Sequence, residues 1–564
     1  QRHKFLEAEA RELKAIEDKN VIEAEVPIPE GVRPKDSRYV YSYKDPVAQE
    51  GDHQKEGADK GTTPELLAKC RLTMKDFKKG GDRLREVFAP TGQSTTFRFL
   101  MILTLLLMLL CDHIDVNTAF LYATLNTPMY MNGPPGRPCK PGYCLKVIKA
   151  LYGIRNAPRA WFQCLRDYLL KMLGFKESAW DPCLFFRTSS TGLLMIIYIY
   201  VDDILLFCSD RDLLNELKAK IRKRFKTKDL GILKKYIGIW VEFRGHFDSV
   251  FLHQSQYCQE ITERFKECFS FIKKVKKTPL PASFHEAIAK DMEPPEEGDR
   301  YFEWVQNFPY LRMIGSALYL AVMTRVDIMF AVCMLARYSC KKTVTACKGL
   351  AHLFSYLSGT IHYGITYTIN RRGLGREFYE LLMDLYGMSD ADWASDIRSR
   401  RSTAGFLVFA LGGPLSWGSK LMTTIAASSM ESEYMAAFYL GQTLLWIRGL
   451  MKELSLPLKK PIPFFMDAMA ALNAIKNPAL RQRSKHIDIK FKWLLMHAKV
   501  AFELRHVRSG DMSADLMTKP TVLSIFISLL PHVMGKEIRS SIELTLAQGR
   551  PKDAPYPKRL RIEE

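Results

Sequence analysis

Two sets of acidic residues in this chain have the spacing that metal-dependent phosphoryl transfer needs. In the run IIYIYVDDILLF, Asp202 and Asp203 stand between two apolar, β-favouring stretches, which puts both carboxylates at or beside a tight turn. An adjacent Asp pair alone is common in turns and says little. Asp115, in HIDVNTAFLY and 87 residues before Asp202, lies at the start of another apolar strand and is placed to face that hairpin. Three converging carboxylates are the hard oxygen ligands that Mg²⁺ takes when it also binds substrate phosphates. Two such ions about 3.5 to 4 Å apart activate an attacking hydroxyl and stabilise the leaving oxygen.

The second set lies in the C-terminal third: Asp390 in MSDADWASD, Glu433 in SSMESEYMAA, Asp467 in FFMDAMAAL and Asp515 in GDMSADLMTK. Each taken singly is the kind of acid that caps a helix or meets solvent whatever the function. Their order says more. Asp390 follows a strand, Glu433 falls in the first turns of a long helix, Asp467 ends an apolar strand, and Asp515 sits in a loop leading to a helix. Strand ends and helix starts converge on one edge of a mixed sheet, where four carboxylates would hold two metal ions and direct water at a phosphodiester.

The elements that must position these residues divide the chain in five. Residues 1–63 read as a charged helix followed by a polar linker without apolar periodicity, and residues 64–265 as a first large domain with strands at His113 to Phe120 and Met195 to Phe207. Residues 266–380 open on Lys273, Lys274, Lys276 and Lys277, pass a Pro/Glu-rich stretch and continue as a helical connector from Tyr310 to Leu357. Residues 381–520 alternate strands and helices, with strands at Gly405 to Ala410, Ile462 to Met466 and Ala501 to Val507 and a helix at Ser428 to Leu454. Residues 521–564 form a basic tail that looks appended.

Composition narrows the partners. With 82 Lys+Arg against 61 Asp+Glu, the net charge is +21, which favours phosphate backbones through Coulomb attraction and counterion release. The 12 Cys form no Cys-x-x-Cys pair and no regular framework, so neither a disulfide scaffold nor a structural zinc site is expected. The apolar run Phe99 to Cys111 falls short of the roughly 20 residues of a membrane span and reads as a buried helix. The chain opens with Gln1 and reads as part of a longer product.

The motifs YVDD, DVNTAFL and KALYGIRNAPRAWF resemble the reverse transcriptase of copia-type long-terminal-repeat retrotransposons. The likeness extends through VFAP, DPCLFFR, KDLGILKKYIGI and YLSGT, and then through RRSTAGFLVF, PLSWGSK, RSKHIDIKF and ADLMTKP, which are similar to the ribonuclease H domain that follows in the same elements. The resemblance implies an α+β fold: a right-hand polymerase with fingers, palm and thumb, a helical connection, and an RNase H-like mixed-sheet domain. It implies RNA-directed DNA polymerase with RNase H activity on RNA template, DNA primer, RNA–DNA hybrid and dNTPs. Other Pol and Gag products are then partners, no membrane is involved, and the setting is cytoplasmic particles with a later nuclear step.

By the same resemblance, Asp115, Asp202 and Asp203 hold two Mg²⁺ ions, with Mn²⁺ as the alternative, and Asp390, Glu433, Asp467 and Asp515 hold two more. Phe120 stacks under the incoming sugar and excludes a 2′-hydroxyl. Lys69 and Arg71 reach the triphosphate, while Arg155, Arg159 and Trp161 supply phosphate contacts and stacking near nucleotide and template. Lys234 and Lys235 contact the primer, and Arg481, Arg483, Lys485 and His486 lie near the hybrid backbone. The chain departs from the family at Asn156, where Gln is usual, at Ala468 and Met469, at Val326 in place of Pro, and in the apolar TLLLMLLCDH before Asp115. The rival reading is a decayed or domesticated relic that binds nucleic acid without turnover.

Overall fold

The computed structural model describes residues 2–44, 67–77, 87–245, 247–291, 293–369, 383–476, 488–498 and 500–535. The basic run Arg481 to His486 and the tail beyond residue 535 lie outside them. The chain divides into two compact units, one formed by Gln1–Gln93 with Leu110–Leu233, the other by Ser94–Leu109 with Lys234–Glu564.

Along the chain come α1 (Arg2–Asp18), β1 (Ile22–Pro27), β2 (Ser37–Lys44), β3 (Leu67–Met74) and α2 (Ser94–Leu107), the last belonging to the second unit. The first unit resumes with β4 (Leu110–Val116), β5 (Thr124–Met131), β6 (Tyr143–Lys149), α3 (Ala157–Asp167), β7 (Lys176–Glu177), β8 (Leu184–Thr188), β9 (Leu194–Tyr200), β10 (Asp203–Cys208), α4 (Arg211–Arg224) and β11 (Thr227–Ile232). Its main sheet has six strands in the order β11-β4-β10-β9-β8-β7, all antiparallel. The inner strands β9 and β10 are buried along nearly their whole length, which is why they read as solid apolar runs rather than alternating ones.

Residues 22–44 correct the linker expectation. β1 pairs with β6 in a three-stranded sheet, β1-β6-β5, and β2 forms an antiparallel ladder with β3. These strands draw stability from partners distant in sequence, so they carry no apolar period of their own. Helix α1 packs on β3 through Ala8, Glu12 and Ile16, a stripe at four-residue spacing, and the Glu12 carboxylate accepts the Leu72 amide at 3.2 Å.

The second unit contains α2, buried without a break from Thr96 to Leu106 as its uniform apolarity requires. It continues with β12 (Lys235–Tyr236), β13 (Ile239–Arg244), β14 (Ser249–His253), α5 (Ser255–Arg264), α6 (Tyr310–Met323), α7 (Met329–Ala336), α8 (Val344–Gly359) and β15 (Gly364–Thr368). Then come β16 (Tyr386–Asp392), β17 (Thr403–Ala410), β18 (Gly413–Leu421), α9 (Ser429–Glu453), β19 (Ile462–Met466), α10 (Met469–Lys476), α11 (Asp488–His497), β20 (Phe502–His506) and α12 (Leu523–Val533). The five-stranded sheet runs β18-β17-β16-β19-β20, antiparallel through β16 and parallel from β16 to β20.

Helix α9 starts where Ser428 accepts the Glu431 amide, a standard N-cap, and lies across β16 and β17. Gly387 permits that approach, since a Cβ there would meet Leu440 Cδ1 at 2.7 Å. Helix α12 corrects the expectation of an appended tail. Phe526, Leu529 and Val533 are buried, and buried His532 bridges Ser513 Oγ and Tyr386 OH, each at 2.7 Å. Among the described residues, no helix is long and apolar enough to cross a membrane.

Candidate active sites

The first acidic set is assembled by strand register. Asp203 pairs directly with Asp115 across β10 and β4, and with Tyr200 across the β9–β10 hairpin, leaving Val201 and Asp202 as a two-residue turn. The Asp202 carbonyl accepts the Val116 amide at 2.9 Å, which ties the turn to the strand carrying Asp115. Val201 has φ 59°, a left-handed conformation that costs a β-branched residue about 1–2 kcal/mol. Trp161 Nε1 donates to the Val201 carbonyl at 2.6 Å and so braces that conformation. Burial raises the Asp202 carboxyl above its usual range, and neighbouring Asp203 and Asp115 add to the rise. His113, two residues before Asp115 on the same strand face, places Nε2 2.8 Å from Asp203 Oδ1.

Around this turn the expected nucleotide residues divide. Strand alternation puts Lys69 and Arg71 on the face of β3 opposite its buried Ala68, Cys70 and Leu72. The Arg71 guanidinium lies 4.5 Å over the Tyr152 ring, and its charge pulls the Asp202 carboxyl downward, against burial. Phe120, in a short 3₁₀ helix at Ala119–Tyr122, packs edge-on against Tyr152 with centroids 5.1 Å apart. Gly153, at φ 87°, lets the LYGIRNAP loop lie against β3, because a Cβ would meet the Met74 carbonyl at 2.1 Å. Arg155 is engaged with Asp76 through its amide at 3.3 Å and its guanidinium at 3.9 Å, and Arg159 stands half-buried in α3. Trp161 differs from the expectation of a stacking surface: it is buried against Phe225 and Tyr122 and supports the turn from beneath. Lys234 and Lys235 belong to the second unit, where Lys235 lies over Trp240 and donates to Gln256.

The second set converges from four elements. Asp390 sits within β16, not after it, opposite Gly405; Glu433 is in the first turns of α9; Asp467 follows β19; Asp515 lies in a 3₁₀ turn at Ser513–Met517. Asp390, Glu433 and Asp467 offer carboxylate oxygens that all lie within 4.8 Å of one another, the one such group of three among the described residues. Asp115, Asp202 and Asp203 do not meet that closely.

Electrostatics in the second set are severe. Burial, then Asp390 and Asp467, push the Glu433 carboxyl up to about 9, and burial and Asp390 raise Asp467. Asp515 is pushed up to about 7 by burial and Asp390, against the pull of Lys519. Burial would depress the Lys519 ammonium, but Asp390 and Asp515 outweigh it and raise it. Its Nζ lies 3.0 Å from Asp515 and 4.0 Å from Asp390. Thr518 donates its hydroxyl to Asp390. Glu433 Oε2 is buried without a hydrogen-bond partner. An orphaned carboxylate oxygen among acids whose protons are held too tightly fits a divalent cation.

Sequence reasoning singled out the seven acids but passed over Lys519, Tyr152 and His113. Lys519 lies four residues after Asp515 inside ADLMTKP, Tyr152 lies within LYGIRNAP, and His113 is two positions before Asp115. All three sat in motifs already in view; their roles required the packing.

Residues 22–276 match the family model for reverse transcriptase (RNA-dependent DNA polymerase). Over 531 residues the chain is 29% identical to the retrovirus-related Pol polyprotein from transposon TNT 1-94 of Nicotiana tabacum, covering 92% of this chain and 37% of that protein. It is 31% identical over 462 residues to the corresponding polyprotein from transposon RE1 of Arabidopsis thaliana, covering 81% of this chain and 30% of that one. The chain thus spans about a third of the length of these relatives. A solved foamy viral protease-reverse transcriptase in complex with double-stranded DNA aligns at 13% identity and a TM-score of 0.40, over 90% of this chain and 70% of that one. The chain belongs to the copia-type retrotransposon Pol family, of which it carries the reverse transcriptase region.

Proposed function

We propose that this chain is an RNA-directed DNA polymerase with an associated RNase H, extending a DNA primer on RNA and then DNA with dNTPs and degrading the RNA strand of the hybrid. The observation that carries the reading is Asp203 facing Asp115 on adjacent strands, with Asp202 on the connecting turn. In this reading residues 64–265 are fingers and palm, with the six-stranded sheet as palm, and residues 266–380 are thumb and connection. Residues 381–520 are the RNase H-like domain, for which the five-stranded sheet crossed by α9 is the support.

Asp115, Asp202 and Asp203 in one site, and Asp390, Glu433, Asp467 and Asp515 in the other, would hold Mg²⁺ or Mn²⁺, which supplies Lewis-acid activation of a hydroxyl or water and neutralises charge at the leaving oxygen. The protein does the positioning. Arg71 is held over Tyr152 on the side of Asp202, where it would bind the triphosphate. Phe120, packed against the same ring, would close the space beside the sugar's 2′ position. In the second site Thr518 and Lys519 orient Asp390 and Asp515.

The test is extension of a DNA primer on an RNA template with dNTPs and Mg²⁺, comparing the chain with its Asp202→Ala, Asp203→Ala double variant. Extension that disappears in the variant is expected. A folded wild-type chain that binds primer-template and extends nothing would sink the polymerase reading.

A further inference from the structure

Two side chains assigned above to different ends of the nucleotide, Arg71 and Phe120, meet on one ring. The Arg71 guanidinium lies 4.5 Å over the face of Tyr152, and Phe120 packs against the same ring with centroids 5.1 Å apart and planes at 61°. Ring quadrupoles favour such an edge-on pair. The backbone fixes the meeting. Tyr152 forms a β-bridge with Thr73, and its carbonyl accepts the Met74 amide at 2.8 Å, so the strand that carries Arg71 also sets the height of the ring. Gly153 follows at φ 87°, where the Cβ of any other residue would collide with the Met74 carbonyl.

The ring holds Arg71 in a way that a carboxylate could not. Among the described residues the guanidinium makes no hydrogen bond or ion pair, and its Nε is buried without a partner. A cation held by a π-face is fixed without using its N–H donors. A carboxylate would take two of them in a fork and neutralise the charge that a triphosphate needs. Glu12 stays out of that role, because its carboxylate is engaged by the Leu72 amide and burial raises it above the usual range. The Tyr152 hydroxyl has no hydrogen-bond partner among the described residues, which leaves the ring as the part that makes the contacts. Burial pushes the phenol up to about 12, with Arg71 pulling down and Asp202 and Asp115 adding to the rise, so the ring stands neutral beside the acids.

We propose that Tyr152 is a positioning residue that couples sugar selection to triphosphate binding: its ring holds Phe120 against the 2′ position and Arg71 towards the triphosphate. One side chain then sets both the preference for dNTP over rNTP and the affinity for either. This deepens the polymerase reading and rests on it for the roles of Phe120 and Arg71. Tyr152 acts through these two neighbours and does no chemistry itself.

The experiment compares the full chain with Tyr152→Leu, Tyr152→Phe, Phe120→Ala and the Tyr152→Leu, Phe120→Ala double variant. A primer ended by a dideoxynucleotide is annealed to an RNA template, Ca²⁺ replaces Mg²⁺, and affinity is read as the dNTP or rNTP concentration that retains the complex against competitor. Incorporation on an open primer in Mg²⁺ then gives kcat and KM. Tyr152→Leu is expected to weaken dNTP affinity and to cut the dNTP-over-rNTP preference, each about tenfold, with KM raised and kcat within a few-fold of wild type. Tyr152→Phe keeps the ring and should keep both properties. The double variant should lose no more preference than Phe120→Ala alone, because both changes act through one gate. Since the preference is a ratio taken on one sample, partial misfolding cancels from it. Unchanged affinity and preference in Tyr152→Leu overturn the proposal. So does a Tyr152→Phe variant as impaired as Tyr152→Leu, which would give the role to the hydroxyl, and so do losses of preference that add in the double variant. If Phe120→Ala leaves the preference unchanged, the gate reading fails and the coupling with it. If the chain retains nucleotide complexes yet extends nothing, the polymerase reading fails while affinity and preference still decide the role of Tyr152.

Discussion

The two acidic clusters are assembled by opposite architectures. The first is made by the register of two adjacent strands and a two-residue turn, so its geometry depends on a single hairpin meeting β4 in the right phase. It is partly open, with the Asp203 side chain 31% exposed, and its tension lies in the backbone, at Val201. The second gathers acids from one strand, the residue just past another, a helix and a 3₁₀ turn into a largely buried place. Its tension is electrostatic, with Glu433 pushed to about 9 and Lys519 as the internal cation. A strand-register site stores cost in φ and ψ; a convergent buried site stores it in unscreened charge.

The largest effects should cross cleanly between the sites. Asp203→Ala is expected to lower dNTP incorporation by at least about 10³-fold, the scale on which a main electrostatic stabiliser is lost, and to leave hybrid cleavage within a few-fold of wild type. Asp467→Asn is expected to do the reverse. Primer extension and hybrid cleavage, measured on both variants, check this. A variant that lost both activities while staying folded would show that the sites do not act separately.

The difference in architecture also explains what could be read in advance. The turn at Val201 and Asp202 was legible because strand, turn and strand are encoded within a dozen consecutive residues, whereas the strand expected over His113 to Phe120 runs instead from Leu110 to Val116, with Phe120 in a 3₁₀ helix beyond it. The four later acids were legible as positions on elements, and Ile462 to Met466 matches its strand end to end. What was not legible depended on distant partners. β1 and β2 look like linker until β6 and β3 pair with them, and α12 looks like tail until Phe526 and His532 are seen buried. Trp161 shows the limit most sharply. An aromatic in a basic motif suggests stacking on bases, and only packing shows the ring turned inward to hold a carbonyl.

The electrostatic half of the comparison predicts a pH effect. An acid whose pKa is higher folded than unfolded holds its proton more tightly in the folded state. The metal-free protein should therefore lose stability as pH rises from about 4.5, the usual glutamate value, towards about 9. Glu433→Gln removes this titration and is expected to raise the metal-free melting temperature at pH 8 by several degrees, an effect on the order of a few kcal/mol, with little change at pH 4. Added Mg²⁺ should stabilise wild type more than the variant. Thermal melts at the two pH values, with and without the ion, measure it. A wild-type curve flat in pH would mean that the acids are compensated by something other than a cation.

The backbone half predicts the smallest effects and the most specific. Trp161→Phe keeps most of the buried ring but removes the Nε1 donor to the Val201 carbonyl, leaving a buried acceptor short of its partner at a cost of about 1–3 kcal/mol. Without that brace the turn can relax from φ 59°, carrying Asp202 with it, so incorporation should fall about tenfold while hybrid cleavage is unchanged. Val201→Gly acts from the other side. Glycine adopts the same φ without the side-chain penalty of about 1–2 kcal/mol, yet it also gives the unfolded chain more freedom, about 0.5–1 kcal/mol in the opposite sense. The net change in stability should be under about 1 kcal/mol. The informative reading is the double variant. If Trp161 acts by holding a strained turn, the Trp161→Phe loss of incorporation should shrink when Val201 is already glycine, because the conformation no longer has to be forced. If the two losses simply add, the indole supports the site by packing alone, and the strain at Val201 has no part in positioning Asp202.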